Sequence, residues 1–148
     1  MGYLAVDLGS TNIKVAVFND DMRVKARLSS PVRYIREGGF VEFDAVEYCD
    51  AVKKMIAAHV ECGNISPEDA KQIVLTGQAE SLVILDRDGK PLMNAISWMD
   101  ERSVYECEQI SHSFKKEDFY WKTGQRSVLP TWPATKILWL KNNRPDVF

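Results

Sequence analysis

The chain has 148 residues, 45% hydrophobic and 27% charged, the balance of a globular protein with length for one ordinary core. Its 19 basic and 21 acidic residues leave a net charge of -2 without a basic block, which excludes nucleic acid or an anionic membrane as a partner held by bulk charge. Cys49, Cys62 and Cys107 are widely spaced and lack zinc-site spacing, no apolar run approaches the ~20 residues that span a bilayer, and MGYLAVD meets Asp7 before any secretory-type apolar stretch, so a soluble cytoplasmic protein with reduced thiols is expected.

In chain order, Tyr3–Leu8, Ile13–Phe18 and Met22–Leu28 read as three strands joined by Gly-Ser-Thr-Asn and by Asn19-Asp20-Asp21, a β-meander. Pro31 and Gly38-Gly39 are expected to break regular structure. Asp44 then stands as the N-cap of an amphipathic helix carrying Ala45, Tyr48, Cys49, Val52, Met55, Ile56 and Val60 on one face and ending near Cys62-Gly63-Asn64. Ser66 to Asp69 has room only for a turn before a buried strand at Gln72–Thr76. Gly77 and Gln78 interrupt, and a second hairpin follows: Ser81–Leu85, a tight turn at Asp86-Arg87-Asp88-Gly89-Lys90, and residues 92–97. From Glu101 the pattern becomes helical, with Val104, Cys107, Ile110 and Phe114 on a face, a short helix at Asp118–Lys122 and a third from Pro133 to about Asn142. The order β-β-β-α-β-β-β followed by helices argues for an α/β mixed sheet with flanking helices and against the strictly alternating series of a Rossmann fold.

Three polar segments follow strands. In Asp7-Leu8-Gly9-Ser10-Thr11-Asn12-Ile13-Lys14, Gly9 admits close backbone approach, and Ser10, Thr11 and Asn12 offer donors of the kind that satisfy phosphate oxygens. Asp7 has the chemistry to hold a hydrated Mg²⁺. The pattern is neither a Walker loop nor a dinucleotide fingerprint, and a plain hairpin bend explains the same residues. In Thr76-Gly77-Gln78-Ala79-Glu80, Gln78 and Glu80 suit substrate hydroxyls, or else lie in a solvated loop. In Trp98-Met99-Asp100-Glu101-Arg102, an aromatic face beside a carboxylate and a guanidinium suits a polyhydroxylated ligand; alternatively Asp100 caps a helix and Trp98 is core. His59 and His112 lack ligand or triad spacing and are read as structural, and Trp132, Pro133 and Ile137 to Leu140 read as a core cluster.

Taken in order, DLGSTNIKVAVFN, GGFVEFD, TGQAESLVILDRDGKPLMNAISWMDER and PATKILWLKNNRPDVF resemble the N-terminal domain of the FGGY family of carbohydrate kinases, over nearly the whole chain. The resemblance implies a ribonuclease H-like (actin/hexokinase-type ATPase) fold, here as an incomplete first domain with residues 1–148 as its N-terminal part. It also implies phosphoryl transfer from ATP to a sugar or polyol. Carried over by position, it gives Asp7 to Mg²⁺, Gly9, Ser10, Thr11, Asn12 and Lys14 to the phosphates of ATP, and Gln78, Ala79, Glu80, Trp98, Asp100 and Arg102 to the acceptor. Ala79 departs from the pattern: members acting on glycerol carry arginine before the glutamate, and members acting on xylulose carry Met-His at the Ala79-Glu80 positions. A ketopentose such as xylulose is the leading acceptor. The family's general base is expected beyond Phe148, so turnover by these residues alone is not expected, and a homodimer of a longer parent is admitted. The rival reading is a non-catalytic sugar- or phosphate-binding module of the same fold.

Overall fold

The computed structural model describes residues 2–148, which divide into two compact units. The first holds residues up to Arg33 and from Asp44 to Ala79; the second holds Tyr34–Phe43 and Glu80–Phe148.

In the first unit, β1 (Gly2–Leu8), β2 (Asn12–Asn19), β3 (Val24–Pro31) and β6 (Ala70–Gly77) form one sheet in the order β3-β2-β1-β6. β1 pairs antiparallel with β2 and parallel with β6. Strand alternation sends Leu4 and Val6 of β1, and Ile13, Val15 and Val17 of β2, to one face. There they meet Met55 and, half-buried, Tyr48, Val52, Ile56 and Val60 of α1 (Ala45–Glu61). Each such side chain contributes about 1.5–3 kcal/mol when fully buried, so this interface dominates the unit's stability. Asp44 caps α1 as expected, its carboxylate accepting from Val46 N–H at 2.7 Å and Glu47 N–H at 3.0 Å. His59 is buried with Nε2 3.1 Å from the Val15 carbonyl oxygen and Nδ1 3.2 Å from Asn64 Nδ2, a structural tie between helix and sheet.

Two expectations change here. The third strand starts at Val24 and runs through Pro31, because at a sheet edge the missing proline N–H can face outward. The strand at residues 72–76 was expected to be buried, but Ile73, Val74 and Leu75 are half or more exposed. β6 is also an edge strand, and α1 packs on β2 and β3.

In the second unit, β4 (Ile35–Glu37), β5 (Phe40–Phe43) and β7 (Ala95–Ile96) form a three-stranded antiparallel sheet. Gly38 and Gly39, with φ of +54° and +93°, make the β4–β5 turn where a structural break was expected. The expected hairpin over residues 81–97 keeps its turn but reduces to β7 and isolated pairings, Leu82 with Ile96 and Leu85 with Pro91. Three helices follow: α2 (Val104–Ser113), α3 (Lys116–Thr123) and α4 (Pro133–Asn143). Val41, Phe43, Ala95, Ile96 and Leu140 are the buried apolar side chains of this unit. Of the expected C-terminal core cluster only Leu140 is fully buried; Ile137 stands in solvent, and Thr135 and Lys136 take interior positions. Among the described residues no helix is long and apolar enough to cross a membrane.

Candidate functional site

The first candidate element is the β1–β2 turn of the first unit. Because Leu4 and Val6 point inward, Asp7 falls on the opposite face, directly across from Lys14. Their charged groups pair at 3.3 Å, with the Asp7 side chain 40% and the Lys14 side chain 58% exposed, so both are open to a ligand. Gly9 is a steric necessity: a Cβ there would lie 2.5 Å from the Asn12 carbonyl oxygen. The turn is held from three directions. Tyr48 of α1 donates its hydroxyl to the Gly9 carbonyl at 2.9 Å, Val32 N–H donates to the Thr11 carbonyl at 3.0 Å, and Gln78 N–H donates to the Leu8 carbonyl at 2.9 Å. The last contact depends on Gly77, whose Cβ would sit 2.6 Å from that of Leu8. Asp7, Gly9 and Gln78 thus gather at the carboxyl ends of the parallel pair β1 and β6, the end where open α/β sheets take their ligands. Ser10 and Thr11 fill the turn and Asn12 opens β2; Ala79, exposed, offers no side-chain polar atom. No group of three or more His, Cys, Asp or Glu side chains converges among the described residues, so Asp7 is a single carboxylate and not part of a closed metal cage.

The second element lies in the second unit. Trp98 directly follows the buried Ser97, and its side chain is exposed, which removes the reading of Trp98 as core. Its N–H donates to Ser81 Oγ at 2.9 Å, joining the segment after β7 to the segment after β6. Glu80 is half-buried with φ of +66°, an uncommon conformation for a residue with a Cβ, and a sign that its neighbours hold it there. Asp100 and Arg102 are different in kind. Asp100 is fully buried, accepting from Val41 N–H at 2.6 Å, Arg102 N–H at 3.0 Å, Arg102 Nε at 2.8 Å and Arg102 Nη2 at 2.9 Å. Arg102 also donates to Glu42 at 2.6 Å, and its guanidinium packs 4.2 Å from the Phe40 ring centroid and 4.8 Å from that of Trp139. Burial alone would pull the guanidinium pKa down; the hydrogen bonds it donates to Asp100 and then to Glu42, with the charges of those carboxylates, outweigh it and leave the pKa raised. Asp100 therefore caps no helix: α2 begins at Val104, and the Asp100–Arg102 pair locks the loop after β7 to β5.

Sequence reasoning passed over three participants. Tyr48 reads as one more apolar position of α1, and only its hydroxyl gives it a second role. Glu42 sits on a strand that was not expected. Lys136 is completely buried, its amine donating to the Ser97 carbonyl at 2.7 Å, with the Glu80 carbonyl oxygen at 3.4 Å. A signal for Lys136 was present: it lies four residues before Leu140, on the same helical face as the one aliphatic side chain of α4 that is fully buried.

Comparison with known proteins agrees with this architecture. The profile of the FGGY family of carbohydrate kinases, N-terminal domain, matches residues 2–148, and the chain belongs to that family. It is 31% identical over 147 residues to a xylulose kinase of Staphylococcus epidermidis, covering 98% of this chain and 28% of that protein. It is 31% identical over 145 residues to a glycerol kinase of Rhizobium meliloti, covering 96% of this chain and 29% of that protein. The chain thus spans under a third of the length of these relatives. Among solved structures, the ligand-bound xylulose kinase of Lactobacillus acidophilus superposes with a TM-score of 0.88 at 27% identity, over 99% of this chain and 29% of that one. The likeness shows the ribonuclease H-like, actin/hexokinase-type fold, a mixed sheet with flanking helices.

Proposed function

We propose that residues 1–148 supply the phosphate-facing turn and the acceptor loops of an ATP-dependent cytoplasmic kinase acting on a sugar or polyol, with a ketopentose such as xylulose as the leading acceptor. The observation that carries this reading is the Gly9 turn, fixed from three directions at the carboxyl ends of parallel strands, with Asp7 and Lys14 beside it. In this assignment Gly9, Ser10, Thr11 and Asn12 receive phosphate oxygens, and Lys14 exchanges its carboxylate partner for a phosphate. A hydrated magnesium ion shared with phosphates asks the protein for only one or two carboxylates, and Asp7, exposed and single, fits that demand. When bound, the metal supplies neutralisation of the charge that gathers on the transferring group.

In the second unit we assign Glu80 and Trp98 to the acceptor: the carboxylate accepts from hydroxyls and the ring covers a C–H face. In the first unit, Gln78 at the end of β6 is assigned to acceptor hydroxyls by its side-chain amide. Asp100 and Arg102, whose charged groups are turned on each other and on Glu42, act as the frame of the acceptor loop rather than as its contacts. The chemical step joins a substrate hydroxyl oxygen to the γ-phosphorus while the bridging oxygen departs with ADP, and the hydroxyl proton passes to a base. No residue within 1–148 is assigned that last role.

The test is ADP release by the protein encoded in the whole reading frame that carries this chain, measured against ketopentoses, aldoses and glycerol. Xylulose-dependent release, reduced at least 100-fold by Asp7→Asn with sugar affinity unchanged, is the expected result. Release that no sugar or polyol in the panel stimulates would overturn the assignment.

A further inference from the structure

Lys136 is one of the most enclosed side chains of the second unit, yet it carries a charge-bearing amine. Lysine is rarely fully buried, and an apolar side chain of equal length fills such a space without desolvating an ammonium. Its burial is offset only if its donors are used. The acceptors it meets are backbone carbonyls of two different loops: Ser97 at 2.7 Å, immediately before Trp98, and Glu80 at 3.4 Å. The same two loops are joined by Trp98 N–H to Ser81 Oγ at 2.9 Å and by the reciprocal Leu82 and Ile96 backbone pair at 2.8 and 2.9 Å. The Glu80 carbonyl belongs to a residue in the left-handed region, φ +66°, a conformation that needs an external hold.

We propose that Lys136 is a positioning residue for the acceptor, holding the Glu80 and Ser97 carbonyls on one ammonium and so fixing the Glu80 carboxylate and the Trp98 ring relative to each other. The geometric part stands by itself; the word acceptor rests on the assignment of Glu80 and Trp98 made above. Burial, the main influence, brings the amine's pKa down from 10.5 to about 8, against the charges of Asp100 and Glu80 that raise it and with that of Arg102, which lowers it further. Below about pH 8 the buried amine carries its charge and all three donors; above it the neutral amine keeps two donors, enough for the two carbonyls, and is relieved of the desolvation cost.

The experiment is amide hydrogen exchange on the chain, followed by NMR, in wild type and Lys136→Met. Methionine keeps the stem and removes the donors. Protection at Leu82, Ile96 and Trp98 is expected to fall at least tenfold while Val6 and Val15 in the other unit keep theirs. In wild type, protection at the same three amides, corrected for the intrinsic effect of pH, is expected to rise between pH 7 and 9.5, because an opening that frees the amine from the two carbonyls returns its pKa toward 10.5 and takes up a proton; Lys136→Met shows no such rise. Unchanged exchange in the variant overturns the proposal. Should the variant fail to fold, absence of the wild-type rise with pH overturns it instead. Titration with xylulose and glycerol separates the two claims: a loosened loop with at least tenfold weaker sugar binding supports both. A loosened loop in a chain whose wild type binds neither sugar supports the positioning role and overturns the acceptor assignment of Glu80 and Trp98.

Discussion

Replacing Arg102 by methionine tests whether the buried charge cluster frames the loop after β7. The substitution keeps an unbranched stem between Phe40 and Trp139 but removes the guanidinium from two carboxylates. Asp100, wholly buried, loses side-chain contacts of 2.8 and 2.9 Å and retains only the N–H groups of Val41 and residue 102. Glu42 loses its 2.6 Å contact but keeps Asn94 Nδ2 at 3.1 Å, and with 18% of its side chain exposed it has some access to water. The cost therefore falls mainly on Asp100, and breaking one side of a buried pair costs about 3–5 kcal/mol. For a chain of this size each kcal/mol moves the melting temperature by about 2–4 °C, so a loss of about 10 °C is expected in thermal and urea melts at pH 7. The double replacement Asp100→Asn with Arg102→Met removes the stranded charge and is expected to recover about half of that loss. A single variant melting within 2 °C of wild type, or a double variant less stable than the single one, refutes the reasoning.

Gly9→Ala places a methyl group 2.5 Å from the Asn12 carbonyl oxygen and forces the turn to open, so Mg-ADP affinity measured by calorimetry is expected to fall at least tenfold while the melting temperature drops by only a few degrees. For Lys136 the folded pKa, about 8, lies below the unfolded value of 10.5, so between those values the unfolded chain binds more protons and stability rises with pH. Wild type is therefore expected to gain about 3 kcal/mol relative to Lys136→Met between pH 7 and 10.5 in urea melts; a flat difference excludes a buried titrating amine. Glu106 is buried with Oε1 taken by Asn142 and Asn143 and Oε2 without a partner among the described residues, so Glu106→Gln, which discards the charge, is expected to stabilise by about 1 kcal/mol in the same melts.

The hairpin at the amino terminus, α1 with its Asp44 cap and α4 with its opening proline were legible because each combines a hydrophobic period with a local terminator. The β4–β5 hairpin was not: Ile35–Glu37 has all three side chains exposed, so it shows no period, and Gly38-Gly39 reads equally as a turn or as a break. The strands expected around the Asp86–Lys90 turn shrank because Pro91 cannot donate and the chain pairs only intermittently there. The Gly9 turn was visible in its residues, but what stiffens it was not, since Tyr48, Val32 and Gln78 come from three separate stretches of chain. The largest gap concerned buried charge. In the sequence Asp100 and Arg102 read as ligand contacts or as the opening of a helix, and Lys136 carries no signal beyond its place in the last helix, whereas each is enclosed because a partner distant in sequence answers it: Val41 and Glu42 for the first two, the Ser97 carbonyl for the third.

The three-sided hold on the Gly9 turn has a thermodynamic consequence. A loop that must be ordered by its ligand gives up conformational entropy on association, at about 1–2 kcal/mol per residue fixed. This one is already immobilised by α1, by the residue after β3 and by the end of β6, before any anion arrives. On the assignment proposed above, an anion docking there would meet a turn already ordered, so the entropic penalty of binding would fall on the ligand rather than on the protein.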